Sequence, residues 1–186
     1  MRINLLYFAM FSLILNSCTH NYTPKPRAFF KVNLPEKQYH YIDIDCNFFF
    51  EKPIYSFLDH LDENCFFNLK FPDQNGVLYI TYLPVKNNLS EHIEQSRSFA
   101  YKHNIVADAI SELVYINEKH KVYGLLYDYE GVTATSTQFY LTDSVNHFFR
   151  ASLYFDTEIN DSLLPINNFI KSDVKHLIES FRWKNQ

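Results

Sequence analysis

Between Ile110 and Asp156 lies the clearest periodic stretch of the chain, four runs rich in β-branched and aromatic residues, Ile110–Ile116, Lys121–Glu130, Thr133–Asp143 and His147–Asp156. Runs of this composition bounded by polar turns read as strands. The connections at Asn117-Glu118-Lys119, Gly131 and Ser144-Val145-Asn146 are too short for anything but antiparallel neighbours, so the runs predict a meander. Upstream, Ala28–Val32 and Tyr39–Ile44 read as extended. Cys65–Phe71 and Val77–Leu83 flank PDQNG, whose Asn75-Gly76 predicts a hairpin turn.

Two stretches change to a helical rhythm. Leu89, Ile93, Ser96 and Ala100 recur at i, i+4, i+7 and i+11, and Asn88 followed three residues later by Glu91 has the form of a capping box. Small residues on this narrow face suit close packing on a sheet. Near the end, Pro165 fits a first helical turn, and Ile166, Phe169, Ile170, Val174, Leu177, Ile178 and Phe181 form one apolar stripe. The expected fold class is α+β: an antiparallel β-sheet with helices packed on both sides. This element order, closing on a helix that ends in ESFRW, resembles the PsbP/Mog1-type α/β sandwich.

The first residues follow neither rhythm. Ile3–Leu15 is mostly apolar, interrupted by Asn4 and Ser12, and falls short of the roughly 20 residues of a membrane span, so it reads as the core of a secretory signal. Leu15-Asn16-Ser17-Cys18 resembles a bacterial lipobox, with Asn16 an imperfect second position. In that reading Cys18 takes a diacylglyceryl group, the chain is cut before it, and its freed amine is acylated. A single chain holds a protein marginally, at about 0.8 kcal/mol per buried methylene, whereas several hold it stably. The rival reading is an ordinary cleaved signal with an incidental cysteine. The expected layout is a signal peptide at 1–17, the lipidated Cys18 with its tether at 18–27, and one globular periplasmic domain at 28–186. The tether THNYTPKPR, with Pro24 and Pro26, would reach roughly 25 to 30 Å at about 3 Å per residue.

Cysteine usage follows from this. Of three cysteines, assigning Cys18 to lipid leaves Cys46 and Cys65, which are candidates for one disulfide in an oxidising compartment or for two buried thiols. The chain has no C-x-x-C, and two cysteines nineteen residues apart do not hold zinc without partners.

Charge and composition narrow the class. Loss of Arg2 with the signal leaves 16 of the 17 basic residues against 21 acidic ones, a formal charge of −5, which argues against a nucleic-acid partner. The glycines are Gly76, Gly124 and Gly131, too scattered for a phosphate-cradling loop. Aromatic residues make up 18% of the chain, an enrichment that an AT-rich genome also favours alongside Asn, Lys and Ile.

Candidate chemistry is sparse. Asp143, Ser144 and His147 supply the side chains of a hydrolase triad, but at a hairpin turn, where Asp and Ser bond the backbone, and without a G-x-S-x-G elbow. His92 and His103 share a helical face three turns apart, roughly 16 Å, too far for one metal ion. No metal site and no cofactor are expected. Arg150 lies in the apolar strand HFFRASLYF. A charge buried alone costs several kcal/mol, so an inward Arg150 calls for Asp128, Asp143 or Asp156 as partner, and an outward one suits a protein contact.

Longer segments carry a family resemblance. PKPRAFFKVNLPEKQY (Pro24–Tyr39), FEKPIYS after Cys46, CFFNLKFP from Cys65, QFYLTDSVNHFFRASLYF (Gln138–Phe155) and SLLPINNFIKSDVKHLIESFRW are similar to the gliding motility-associated lipoprotein GldD family of gliding Gram-negative bacteria. Ala151 and Thr137 depart from it, standing where the family pattern has Gly and Pro. The resemblance implies a non-enzymatic component of the cell envelope, needed for gliding and linked to type IX secretion. Its expected partners are other envelope proteins of that machinery, with the aromatic meander as the docking face. Thr19 follows Cys18 in place of the Asp that retains lipoproteins in the inner membrane, and no acidic export cluster follows, so the inner leaflet of the outer membrane is favoured. The alternative is a periplasmic module binding a small amphipathic ligand between sheet and helix.

Overall fold

The computed structural model describes residues 32–42, 44–59, 62, 65–102, 107–131, 133–160 and 162–184. The signal peptide, Cys18, the tether, His103 and residues 28–31 of the first extended run lie outside the described residues. The last residue of that run, Val32, is not in a strand.

The elements are Tyr39–Tyr41 (β1), Phe48–Phe49 (β2), Glu51–Pro53 (β3), Phe57–Asp59 (β4), Phe67–Phe71 (β5), Gly76–Pro84 (β6), the helix Leu89–Lys102 (α1), Ala109–Asn117 (β7), Val122–Glu130 (β8), Thr135–Thr142 (β9), His147–Phe155 (β10), the helix Leu164–Ser180 (α2) and Arg182–Trp183 (β11). One seven-stranded sheet runs β4-β5-β6-β10-β9-β8-β7, all its pairs antiparallel. Small ladders join β1 to β3 and β2 to β11. The fold is α+β, and the meander expected over residues 110 to 156 forms as β7-β8-β9-β10.

Chain order explains the place of α1. β6 pairs with β10 while β7 lies beyond β9 and β8, so the connection between β6 and β7 has to span that part of the sheet, and α1 packs on it. Successive strand residues point to opposite faces. On one face Leu126, Phe139, Leu141, Phe149, Ala151 and Leu153 pack with Ile170, Val174, Leu177 and Ile178 of α2. On the other, Tyr127 and Tyr129 pack with Ala100 of α1. The two helices therefore cover opposite faces.

The aromatic excess has a structural use. Phe48 is fully buried with its ring centroid 5.0 Å from Phe149, 5.6 Å from Phe181 and 6.3 Å from Phe67. Each such ring contributes about 2 to 3 kcal/mol by leaving water. Gly124 is required where β8 meets β9, because a Cβ there would run into the Tyr140 carbonyl and lie 2.7 Å from Leu141 Cδ2.

Local expectations needed correction. The expected hairpin forms, β5 pairing antiparallel with β6, but its turn is a single 3₁₀ turn, Pro72–Gln74, closed by Asn75 in the left-handed region (φ 51°), and Gly76 already opens β6. The capping box does not form: Asn88 Oδ1 accepts the Lys86 N–H at 2.8 Å, while its carbonyl accepts from Glu91 and His92. The run Tyr39–Ile44 is a strand only as far as Tyr41, after which Ile42 N–H donates to the Phe50 carbonyl. Among the described residues no helix is long and apolar enough to cross a membrane.

Candidate functional site

The triad residues are built into the hairpin between β9 and β10. Asp143 Oδ1 accepts the backbone N–H groups of Val145, Asn146 and His147 at 3.0, 2.8 and 2.8 Å. Burial would raise this carboxyl, but those donors and the neighbouring His147 outweigh it and hold it below the usual carboxylate range. Ser144 sits at φ 70° in the turn. His147 Nδ1 lies 2.7 Å from the Tyr82 hydroxyl, and its ring stacks on Trp183 at 5.1 Å. The carboxylate thus organises a turn, and the imidazole is engaged elsewhere.

Arg150 meets none of the carboxylates expected for it. Its guanidinium lies 4.4 Å above the Phe99 ring of α1 and donates to Gln138 Oε1 at 3.2 Å. Asp128 instead pairs with Lys171 of α2, and Asp143 closes its turn. The reason is the alternation of the strand: Ala151 and Leu153 face α2, which leaves Arg150 on the α1 face beneath an aromatic ring. Burial lowers its pKa, with Tyr154 and Tyr129 acting in the opposite sense.

Cys46 and Cys65 form a disulfide, their Cα atoms 6.0 Å apart, tying the segment before β2 to the segment before β5. His92 stacks on Phe148 at 5.3 Å. Among the described residues no group of three or more His, Cys, Asp and Glu side chains comes together as a metal site.

A buried polar cluster on α2 escaped the sequence reading. Asp173 is 2% exposed, and its carboxylate receives Lys37 Nζ at 2.5 Å, Tyr39 OH at 2.8 Å and Tyr55 OH at 2.7 Å. Burial, then the hydrogen bond to Asp173, raises both phenols far above their usual range, so they stay protonated donors. Alongside, His176 Nε2 lies 2.6 Å from Glu51 Oε2 and stacks on Tyr39 at 3.7 Å. The signal was present in the sequence: an acid inside the apolar stripe, between Ile170 and Val174.

The expected docking face is largely occupied. Phe139 and Phe149 of the meander lie in the core, and Tyr140 and Phe148 are buried or half-buried on the α1 side. Within the meander, exposed apolar residues gather on its edge strand β7, where Leu113, Val114 and Ile116 are 47%, 72% and 62% exposed. Each side of this strand has a groove. On the α2 side Leu113, Tyr115, Leu126 and Ile178 line ≈230 Å³, and on the α1 side Val114, Ile116, Leu89 and Ile93 line ≈350 Å³. A larger cleft of ≈530 Å³ between β8 and α2 has a mixed lining, with Ile159 and Leu164 beside Asp128, Asn167, Lys171 and Lys175.

A family model described as gliding motility lipoprotein GldD matches residues 19–183. No curated protein matches the chain.

Proposed function

The chain belongs to the gliding motility lipoprotein GldD family, and from that membership we propose that it is a non-catalytic, lipid-anchored assembly or stabilising component of the gliding and type IX secretion machinery. In this reading Cys18 carries the lipid, residues 19–27 form the tether, and residues 28–186 fold as one body in the periplasm beneath the outer membrane. The family match, which starts one residue after Cys18, carries the proposal. The apolar run ending at Leu15-Asn16-Ser17-Cys18 supports it, because acyl chains on one sulfur and one amine bind a bilayer without a membrane-spanning segment.

The body supports a docking role in preference to chemistry. Asp143 and His147 are engaged in the turn and with Tyr82, and one stretch of exposed apolar surface, Leu113, Val114 and Ile116, is a strand edge flanked by grooves. Protein chains, a second copy of this one included, use such features: main-chain bonds supply affinity and side-chain pockets supply selectivity. Crosslinking in living gliding cells, followed by mass spectrometry of the recovered protein, tests the reading. Peptides from gliding or secretion envelope proteins are the expected result, and their absence from an efficiently crosslinked sample would overturn it.

A further inference from the structure

The two edges of the seven-stranded sheet are finished differently. β4 spans three residues and ends at Asp59, which is salt-bridged to Lys70 at 2.5 Å; such short, charged edges discourage further pairing. β7 spans nine residues and contains neither proline nor lysine, and Leu113, Val114 and Ile116 are its exposed apolar side chains. All nine are paired with β8, from Ala109↔Glu130 to Asn117↔Val122, so the strand is regular and its outer edge is straight enough to template another. Strand alternation puts Leu113, opposite Leu126, and Tyr115 on the α2 face and Val114, opposite Leu125, and Ile116 on the α1 face, with Val114 and Tyr115 bordering both grooves.

We propose that β7 pairs antiparallel with β7 of a second copy of this chain, about a two-fold axis through Leu113, joining two seven-stranded sheets into one. Leu113 is the middle residue of Ala109–Asn117, so this axis pairs every residue of the strand. Leu113 then meets itself, Ile110 meets Ile116 of the second copy, and Glu112 meets Val114, with no like charges directly opposite. Charges at the rim fit the same symmetry. Lys175 and Glu179 lie one turn apart on α2 along the groove beside Leu113, both exposed, and neither belongs to a salt bridge among the described residues. A two-fold axis reverses their order, so the lysine of each copy faces the glutamate of the other across the seam. This self-complementarity selects a second copy over an unrelated strand.

Two measurements on the full-length protein test this. Sedimentation in detergent is expected to give a dimer for the wild type and a monomer for the double variant Val114→Lys, Ile116→Lys, whose circular dichroism stays unchanged because both side chains project into solvent. In living cells, Leu113→Cys is expected to give a reducible species of twice the monomer mass. A monomeric wild type at high protein concentration overturns the proposal, as does a dimer that survives both lysines. A Leu113→Cys adduct with a different envelope protein also overturns it, assigning the edge to a heterologous strand.

Discussion

Lys37 Nζ lies 2.5 Å from Asp173 Oδ1, across 136 positions of sequence, on a carboxylate almost sealed from water. Lys37 also donates to the Phe169 carbonyl at 2.9 Å and sits 4.0 Å above the Phe169 ring. Together with Tyr39 and Tyr55 it fastens the segment leading into β1 onto α2. The latch therefore sets how firmly this segment holds to the helix that covers the sheet.

Asp173→Ala removes the shared acceptor of three donors and is expected to cost about 3 kcal/mol, since buried groups that lose their partner bear the desolvation penalty unrelieved. Lys37→Met leaves the two phenols bonded but strips a buried carboxylate of its countercharge, and is expected to cost about 2 kcal/mol. Urea unfolding of the two variants beside the wild type gives the comparison; equal costs would show that the lysine, and not the phenols, dominates the latch.

Gly124→Ala places a methyl group against the Tyr140 carbonyl and Leu141 in a sheet whose strands cannot separate without breaking their ladders. A loss of about 2 to 3 kcal/mol is expected, as for other overpacked interiors. A melting temperature indistinguishable from that of the wild type would show that β8 and β9 can part there.

Asp143 gives a pH signature. Its folded pKa lies below that of an unfolded aspartate, about 3.9. Its contribution is therefore complete above that value and is lost as pH falls through the lower folded value. Asp143→Ala should cost about 1 to 2 kcal/mol at pH 7, in line with other lost caps, and the gap from wild type should close in strong acid. Unfolding curves at pH 7 and below pH 3 measure both ends; a gap independent of pH would remove the carboxylate from the account.

Cys46 and Cys65 close a loop with a sequence separation of 19, for which the chain-entropy relation gives about 3 kcal/mol. Cys46→Ser with Cys65→Ser should lower stability by about that amount, as should reduction of the wild type. Denaturant midpoints with and without dithiothreitol report it, and reductant should leave the double variant unaffected.

The meander and both helices were legible because they run for eight residues or more, long enough for a helical stripe or a β-rich run between short turns to show. β2, β3, β4 and β11 are two or three residues long, too short for a period to show. Arg150 illustrates the other limit. Its strand identified it as a charge needing relief, but the relief came from Phe99 and Gln138, and neither an aromatic face nor an amide is marked in a sequence as a cation's partner. The Asp173 latch was hidden for a related reason: Lys37, Tyr39 and Tyr55 belong to a segment whose position on α2 no local pattern encodes.

The account depends most on the anchor. Cells supplied with an alkyne-bearing palmitate analogue and expressing either the wild-type chain or Cys18→Ala provide the direct measurement, read by in-gel fluorescence after purification. The account predicts a labelled wild type and an unlabelled Cys18→Ala; a wild-type protein that accumulates normally yet carries no label would contradict it.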